Sequence, residues 1–211
     1  MALEYIKQIN ENIHLAVWKI EEDLEFYLKN VQLSLIDEKI LLETTHPEKK
    51  LEFMAGRMLC KTVLQELKIS NQPIFRNEYG KPQIPDSEHD ISLSHTENYI
   101  ALTIGYQLDV GIDIEKPKPK MAKVAPRLYT EKEMEYCQDN LIYFSKIWSA
   151  KEVLYKLFMK RELDFKEHLS VKPENKDWTL MTGKIQKGNF EQSYQLAFYE
   201  LEEYFICLNV T

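Results

Sequence analysis

The sequence predicts an α+β fold built from two α+β units that meet near residue 108. The order of the elements supports this fold, because a strand, a helix and further strands occur twice along the chain. The composition agrees, since 44% of the 211 residues are apolar and 29% are charged, which is typical of a folded globular protein. We therefore expect an N-terminal α+β half over residues 1–107 and a C-terminal half over residues 108–211.

The elements of the first half follow from the spacing of its apolar residues and the positions of Pro and Gly. β-Branched and aromatic residues after Ile13 favour a strand, and Pro47 precedes a strong amphipathic helix. The predicted elements are a strand at 13–20, one or two helices within 21–45, a helix from 47 to 67, two extended pieces around a Gly-Lys-Pro turn within 74–84, and a hairpin of 91–95 with 99–105.

The second half repeats the pattern and begins with a strand of period two at 110–114. The Pro/Lys-rich segment 116–120 follows, and we expect neither a helix nor a central strand there because proline breaks both. The remaining predicted elements are helices at 131–137 and 141–159 and a closing antiparallel sheet made of three apolar stretches within 171–211.

Charge and cysteine content narrow the functional classes. The net charge of −7, from 27 basic and 34 acidic side chains, disfavours sequence-independent nucleic-acid binding. The three cysteines are far apart and form no CxxC pair, which indicates buried thiols rather than a disulfide framework or a zinc site. No segment approaches the ~20 apolar residues of a membrane span, and no leader pattern is present, so we expect a soluble cytoplasmic protein.

Asp113 and Glu115 are the first candidates for chemistry. Alternate residues of a strand share a face, so the two carboxylates repel each other unless a cation lies between them. Magnesium binds such oxygen ligands together with waters and phosphate oxygens. Gly111 allows a backbone or a ligand to approach this strand closely. The alternative is that both acids face solvent or pair with a lysine.

The helix predicted from Leu141 supplies a second group of candidates. Glu152 lies one helical turn from both Trp148 and Lys156, and Lys151 directly precedes it. One helix can therefore offer a third metal ligand beside ammonium groups that bind phosphate. The alternative is a solvent-facing pair of Glu152 and Lys156, which is a common arrangement on helix surfaces.

Two segments of the first half add groups that can contact phosphate. Ser92-Leu-Ser-His95 ends a predicted strand with hydroxyls and an imidazole, and Tyr79-Gly-Lys-Pro82 places a cation in a tight turn. A histidine with a purely structural role and an ordinary surface turn are the respective alternatives.

Taken in order, these motifs resemble a known family. The series is Gly56-Arg57, Tyr79-Gly-Lys-Pro82, Ser92-Leu-Ser-His95, Gly111-Ile-Asp-Ile-Glu115 and Trp148-Ser-Ala-Lys-Glu152 with Lys156. It resembles the Sfp-type 4′-phosphopantetheinyl transferases, and its last two motifs are highly specific together. The resemblance implies a pseudo-dimer of two similar α+β halves with coenzyme A in the cleft between them, and it favours a monomer.

The resemblance also implies roles for individual residues. It makes Asp113, Glu115 and Glu152 the ligands of Mg²⁺, with Mn²⁺ as an alternative, and it places Lys151 and Lys156 near the coenzyme A phosphates. Asp113, Lys151, Glu152 and Lys156 form the implied catalytic set. The other implied coenzyme A contacts are Arg57 with Lys49 or Lys50 at the 3′-phosphate, Lys81 and Pro82 beside the adenine, and Ser94 and His95 at the nucleotide.

The implied reaction is magnesium-dependent transfer of the 4′-phosphopantetheine arm from coenzyme A to a serine of an apo acyl or peptidyl carrier protein, with release of 3′,5′-adenosine diphosphate. Glu152 is a candidate for helping to deprotonate that serine. Two alternatives use the same groups. One is a metal-dependent phosphohydrolase that acts on a nucleotide, and the other is a non-catalytic coenzyme A-binding protein.

A basic segment suggests where a protein partner docks. The stretch from Lys116 to Lys132 contains a single acid, Glu131, although the chain as a whole is acidic. Because carrier proteins are generally acidic around the modified serine, we expect this segment to bind them electrostatically. The alternative is a solvated loop and helix face. The basic residues are Lys116, Lys118, Lys120, Lys123, Arg127 and Lys132.

Overall fold

A computed structural model describes residues 2–70, 73–158 and 163–211. The chain divides into two compact units, Met1–Val110 and Gly111–Thr211. Each unit contains one antiparallel sheet and helices packed against it, so the α+β class predicted from the sequence is confirmed.

Unit 1 is a six-stranded sheet with the strand order β1-β2-β6-β5-β4-β3. Its centre is β6, which pairs with β2 on one side and with β5 on the other. The elements of this unit are β1 (Leu3–Gln8), β2 (Ile13–Lys19), α1 (Leu24–Asn30), α2 (Leu35–Glu43), α3 (Pro47–Glu66), β3 (Phe75–Arg76), β4 (Pro82–Gln83), β5 (His89–His95) and β6 (Tyr99–Tyr106).

The core of unit 1 forms where α3 lies on the sheet. Pro47 stands in the first turn of α3, where a backbone N–H has no acceptor within the helix, so proline costs no hydrogen bond there. Met54 and Leu59 of α3 are fully buried in the same cluster as Trp18 of β2. In α2, by contrast, the buried residue is Asp37, whereas Leu35 and Leu42 are 84% and 81% exposed.

Unit 2 is a five-stranded sheet with the strand order β7-β11-β10-β9-β8. All of its pairs are antiparallel, and β7 is an edge strand paired with β11. The elements of this unit are β7 (Ile112–Glu115), α4 (Pro119–Leu128), α5 (Glu131–Cys137), α6 (Leu141–Phe158), β8 (Leu169–Pro173), β9 (Leu180–Lys187), β10 (Phe190–Leu201) and β11 (Tyr204–Asn209).

Gly111 explains how closely α6 approaches β7. A Cβ at this position would lie 2.7 Å from the carbonyl oxygen of Val153 and 3.1 Å from Cγ of Leu157, both on α6. The Gly111 amide is held by the side chain of Asn209, whose Oδ1 accepts it at 2.9 Å. The prediction that this glycine permits a close backbone approach is therefore confirmed.

Most predicted elements are present, and two predictions were wrong. The Pro/Lys segment is not free of helix, because α4 begins at Pro119, again with proline in the first turn. The last region contains four strands, β8 to β11, rather than three. The strand β1 was not predicted at all. The helix predicted to reach Met159 is observed to Phe158, and Met159 lies outside the described residues.

Cys60, Cys137 and Cys207 are free and buried, as predicted. Burial raises the pKa of Cys60 and of Cys137 to about 12, so these thiols stay protonated at neutral pH. Over the described parts of the chain, no helix combines the length and the apolar character that crossing a membrane requires.

Candidate active site

The carboxylates of β7 face the helix α6. Asp113 stands opposite Cys207 in the register of β7 with β11, and Cys207 belongs to the buried cluster that α6 also enters. Opposed residues of an antiparallel pair share a face of the sheet, so Asp113 points to the α6 side, and Glu115, two residues on, does the same. This shared face is what the alternation in the sequence predicted.

Two side chains of α6 hold the Asp113 carboxylate. The Ser149 hydroxyl donates to Oδ2 of Asp113 at 2.7 Å, and the Lys156 ammonium lies 3.3 Å from Oδ1. The same ammonium donates to the carbonyl oxygen of Ile112 at 2.6 Å. Asp113 is 7% exposed, so these are partners in a largely dry environment where charge-assisted contacts are strong.

Glu152 and Glu115 complete a group of three interacting carboxylates. Burial, and then the charge of Asp113, raises the pKa of Glu152 to about 7, although Lys156 opposes the shift. Burial followed by Asp113 also raises the pKa of Glu115, whose Oε1 lies 3.6 Å from the Lys118 ammonium. Their mutual repulsion makes this face a site where an added cation is favourable.

The donor chemistry of this face suits a hard divalent cation, because carboxylate oxygens are the ligands that Mg²⁺ prefers. The side chains are not already arranged as a ligand shell, since no three His, Cys, Asp or Glu groups of the described residues stand close enough together to hold a metal ion. Oδ1 of Asp113 instead contacts the Lys156 ammonium. A cation that binds Oδ1 would therefore have to displace Lys156.

Lys151 lies away from the three carboxylates. Its side chain is 0% exposed, and its ammonium donates to the carbonyl oxygens of Leu128 at 2.9 Å and Phe165 at 2.7 Å. It also forms a 2.7 Å ion pair with Glu133, which is buried as well. Three donors with three partners leave no N–H for a phosphate. The structure thus gives Lys151 a framework position, unlike the ligand contact that the resemblance implied.

Unit 1 contains a cavity of about 220 Å³ beside α3 with several basic side chains in its lining. The Lys49 ammonium and Nε2 of His95 both contact Oε2 of Glu52, at 2.6 and 3.0 Å. Arg57 and Arg76 also line this cavity, and both guanidinium groups lie over the ring of Phe53. We refer to this cavity as the basic pocket.

Arg57 is both a lining residue of the basic pocket and a partner in a buried ion pair. Its Nε and Nη2 donate to the two carboxylate oxygens of Asp37, each at 2.7 Å. Burial and then the charge of Arg57 lower the pKa of Arg76. Ser94 lines the same cavity, so four implied coenzyme A contacts (Lys49, Arg57, Ser94 and His95) come together here.

Lys81 and Pro82 lie in a different part of unit 1. The Lys81 ammonium pairs with Asp90 and donates to the carbonyl oxygen of Val110 at 3.3 Å. Pro82 begins β4 and stands opposite Arg76 in the register. Neither residue is in the lining of the basic pocket.

Ser149, Arg76 and Glu133 are among the residues of these sites that sequence reasoning missed. Ser149 is part of the Trp-Ser-x-Lys-Glu motif, and its spacing of three from Glu152 and seven from Lys156 places all three on one helix face. That spacing is a signal that could have identified it. Arg76 and Glu133 carry no such signal, because each reaches its site only through the fold.

Fold and site together describe a two-unit α+β protein with a group of carboxylates in one unit and the basic pocket in the other. The family model for the 4′-phosphopantetheinyl transferase N-terminal domain matches residues 37–105. The model for the 4′-phosphopantetheinyl transferase superfamily matches residues 109–208. The chain therefore belongs to the 4′-phosphopantetheinyl transferase superfamily.

Individual relatives agree with this assignment. The chain is 30% identical over 120 residues to 4′-phosphopantetheinyl transferase Sfp of Bacillus subtilis, a match that covers 53% of each protein. It is 25% identical over 166 residues to 4′-phosphopantetheinyl transferase HetI of a Nostoc species, covering 70% of this chain and 69% of HetI. The chain spans about half the length of the Bacillus relatives that it matches.

Proposed function

We propose that the chain transfers the 4′-phosphopantetheine arm of coenzyme A to a serine of an apo acyl or peptidyl carrier protein and releases 3′,5′-adenosine diphosphate. Membership of the superfamily supports this activity. The observation that carries it is the shared face of β7 and α6, where Lys156 pairs with Asp113 and the charges of Asp113 and Glu115 act on Glu152. Acids and a cation in one half-buried group suit phosphoryl chemistry.

The residues of unit 2 would act on the pyrophosphate. Asp113, Glu115 and Glu152 would hold Mg²⁺, or Mn²⁺ in its place, and the bound ion would neutralise charge on the pyrophosphate oxygens. Lys156 would turn from Asp113 to the transferred phosphoryl group. Glu152 would also help to accept the proton of the attacking serine.

The residues of unit 1 would hold the nucleotide end of coenzyme A. The basic pocket offers Lys49, Arg57, Arg76 and His95, which suits the 3′-phosphate. Lys81 and Pro82 would border the adenine. The cleft between the two halves stays a prediction, and so do the monomeric state and the cytoplasmic location.

The basic segment is the proposed docking surface for the carrier protein. Lys116 pairs with Glu203 at 2.5 Å, and Lys118 lies 3.6 Å from Glu115. Of the other basic residues of the segment, Lys120, Lys123 and Arg127 lie on α4, and Lys132 lies on α5. A basic helix directly after the β7 carboxylates would bring an acidic carrier to the chemistry.

The direct test incubates the chain with apo carrier proteins, coenzyme A and Mg²⁺, and measures the intact mass of the carrier. A gain equal to one phosphopantetheine arm is expected. Asp113→Ala and Glu152→Ala should abolish it, whereas Glu135→Ala, an exposed acid on α5, should not. Products of coenzyme A hydrolysis without any modified carrier would favour the phosphohydrolase. Binding of coenzyme A without turnover would favour the non-catalytic alternative.

The docking surface is tested with the double variant Lys120→Glu/Lys123→Glu. It should raise the KM for the carrier and leave the KM for coenzyme A unchanged. Lys184→Glu/Lys187→Glu on β9 changes the net charge equally and serves as the control. Equal carrier kinetics in the two double variants would contradict docking on α4.

A further inference from the structure

We propose that Ser149 is a positioning residue that fixes the rotamer of Asp113 for metal binding. This inference rests on the proposed metal site of unit 2. Ser149 is 0% exposed, and its hydroxyl donates to Oδ2 of Asp113 at 2.7 Å. A carboxylate that ligates a metal needs a second group to orient it, and a buried serine with its hydrogen bond directed at the carboxylate supplies one.

The position of Ser149 on α6 supports this role. Ser149, Glu152 and Lys156 lie on one face of the helix, so a single rigid element orients one carboxylate, provides another and adds a cation. Lys156 is 3.3 Å from Oδ1 of Asp113, a longer contact than the one made by Ser149. When Lys156 turns to a phosphate, Ser149 keeps Oδ2 in place and Oδ1 becomes available to the metal.

The orientation of the hydroxyl shows that burial alone does not explain this contact. Buried serines in helices often donate to the carbonyl oxygen one turn earlier. Ser149 instead reaches across to β7, and its partner is an acidic side chain. Ser145 lies one turn before Ser149 on α6 and is equally buried, yet its Oγ has no hydrogen-bond partner among the described residues. The same helix therefore provides a serine without this role.

Ser145 makes the experiment well controlled, because Ser149→Ala and Ser145→Ala are the same change on the same helix at the same burial. We expect Ser149→Ala to weaken Mn²⁺ binding about tenfold, which is the usual effect of losing an orienting partner. Ser145→Ala should bind Mn²⁺ as the unaltered chain does. Binding is measured by electron paramagnetic resonance of free Mn²⁺, with and without coenzyme A.

Two further variants separate positioning from folding. Ser149→Thr keeps the hydroxyl and should restore Mn²⁺ affinity, whereas Ser149→Cys keeps the size with a weak donor and should not. In the transfer reaction, Ser149→Ala should raise the KM for Mg²⁺ and leave kcat at saturating Mg²⁺ within about twofold of the unaltered chain, since saturation offsets a purely orienting defect. Thermal unfolding identifies any variant whose loss is due to instability.

The outcomes are distinct. Equal Mn²⁺ affinity in Ser149→Ala, Ser145→Ala and the unaltered chain would overturn the role of Ser149 while leaving the metal site intact. Failure of the unaltered chain to bind Mn²⁺ under either condition would reject the metal site, and with it both this inference and the metal dependence of the proposed function. Lowered kcat at saturating metal together with a normal KM would assign Ser149 to the chemical step instead of positioning.

Discussion

The central helices of the two units, α3 and α6, each carry a buried cation that the sequence nominated as a phosphate ligand, but the two cations differ in their surroundings. Lys151 of α6 is enclosed by Glu133 and two carbonyl oxygens. Arg57 of α3 pairs with Asp37, yet it also lines the basic pocket. The contacts of Lys151 therefore leave it no room for a ligand, whereas Arg57 remains next to a cavity although it is paired.

This difference indicates how each unit is built. In unit 2, Lys151 joins α6 to the end of α4, to α5 through Glu133 and to the segment before β8. Its bonds stiffen the support behind Glu152, the next residue along the helix. In unit 1, Arg57 pairs with Asp37, the buried residue of α2, whereas Leu35 and Leu42 of the same helix are exposed. The buried cation of unit 2 is thus fully engaged by neighbouring groups, whereas the buried cation of unit 1 also borders the basic pocket.

The largest effect is expected from Lys151→Met, which leaves the Glu133 carboxylate buried without its cation. We expect a loss of about 3–5 kcal/mol in the free energy of unfolding, because breaking a buried pair strands a charge. Urea denaturation measures it.

Lys146→Met is the matched control for this change. Lys146 is also buried on α6, but its ammonium donates to the carbonyl oxygen of Trp178 and lies over the ring of Phe198, so no carboxylate is stranded. Its replacement should cost about 1–2 kcal/mol. Equal losses in the two variants would show that Glu133 tolerates isolation and that the framework role of Lys151 is wrong.

Much of the acidic site could be predicted from sequence, whereas these ion pairs could not. Period two on β7 and period 3.6 on α6 are local rules, so the shared face of Asp113 and Glu115 and the shared face of Glu152 and Lys156 follow from their spacing. The partners Asp37 and Arg57 are twenty residues apart, and Lys151 reaches carbonyl groups of two other segments. Such contacts depend on the tertiary path of the chain, which a motif does not contain.

The missed elements have similarly specific causes. α4 was missed because the prolines of 116–120 were taken as helix breakers, although Pro119 stands in the first turn, where proline is favoured. β1 is an edge strand with partly exposed residues, so its sequence lacks the alternation of a half-buried strand. It forms because β2 supplies a partner along its length.

A second test, Asp37→Asn, removes the negative charge from the buried Asp37–Arg57 pair of unit 1. Asparagine keeps one acceptor for Arg57 but removes the charge, so we expect a loss of about 1.5–3 kcal/mol, the range for a hydrogen bond to a charged group. Because Asp37 is the buried residue of α2, cleavage within α2 by added protease should also become faster.

Glu38→Gln, at the next and exposed position of α2, should stay within about 0.5 kcal/mol of the unaltered chain. Unchanged stability and proteolysis in Asp37→Asn would mean that α2 is held by contacts other than this pair. In that case the Arg57 pair would not support unit 1 as the Lys151 contacts support unit 2.

A third, smaller effect is expected from Gly111→Ala, which tests the close approach of α6 to β7. The added methyl would lie 2.7 Å from a backbone oxygen of Val153, which cannot move without shifting the helix. We expect a loss of about 1–3 kcal/mol, as for other overpacked cores. Mn²⁺ affinity should fall as well, because the shift separates Asp113 from α6. A free energy of unfolding equal to that of the unaltered chain would show that the contact between α6 and β7 can accommodate a methyl group.

The smallest effect, and one of opposite sign, is expected from Gly56→Ala on α3. Here the added methyl would meet Cδ2 of Leu93 at 3.9 Å and Cγ2 of Ile100 at 4.0 Å, which is ordinary contact. Alanine in a helix interior is favoured over glycine by about 1 kcal/mol, so unfolding should require more denaturant. Gly56 also lines the basic pocket, and a methyl group there should weaken binding of 3′,5′-adenosine diphosphate in calorimetry. A more stable variant with weaker binding would establish that α3 leaves space at this position for a ligand, whereas a less stable one would place α3 as close to its sheet as α6 is to β7.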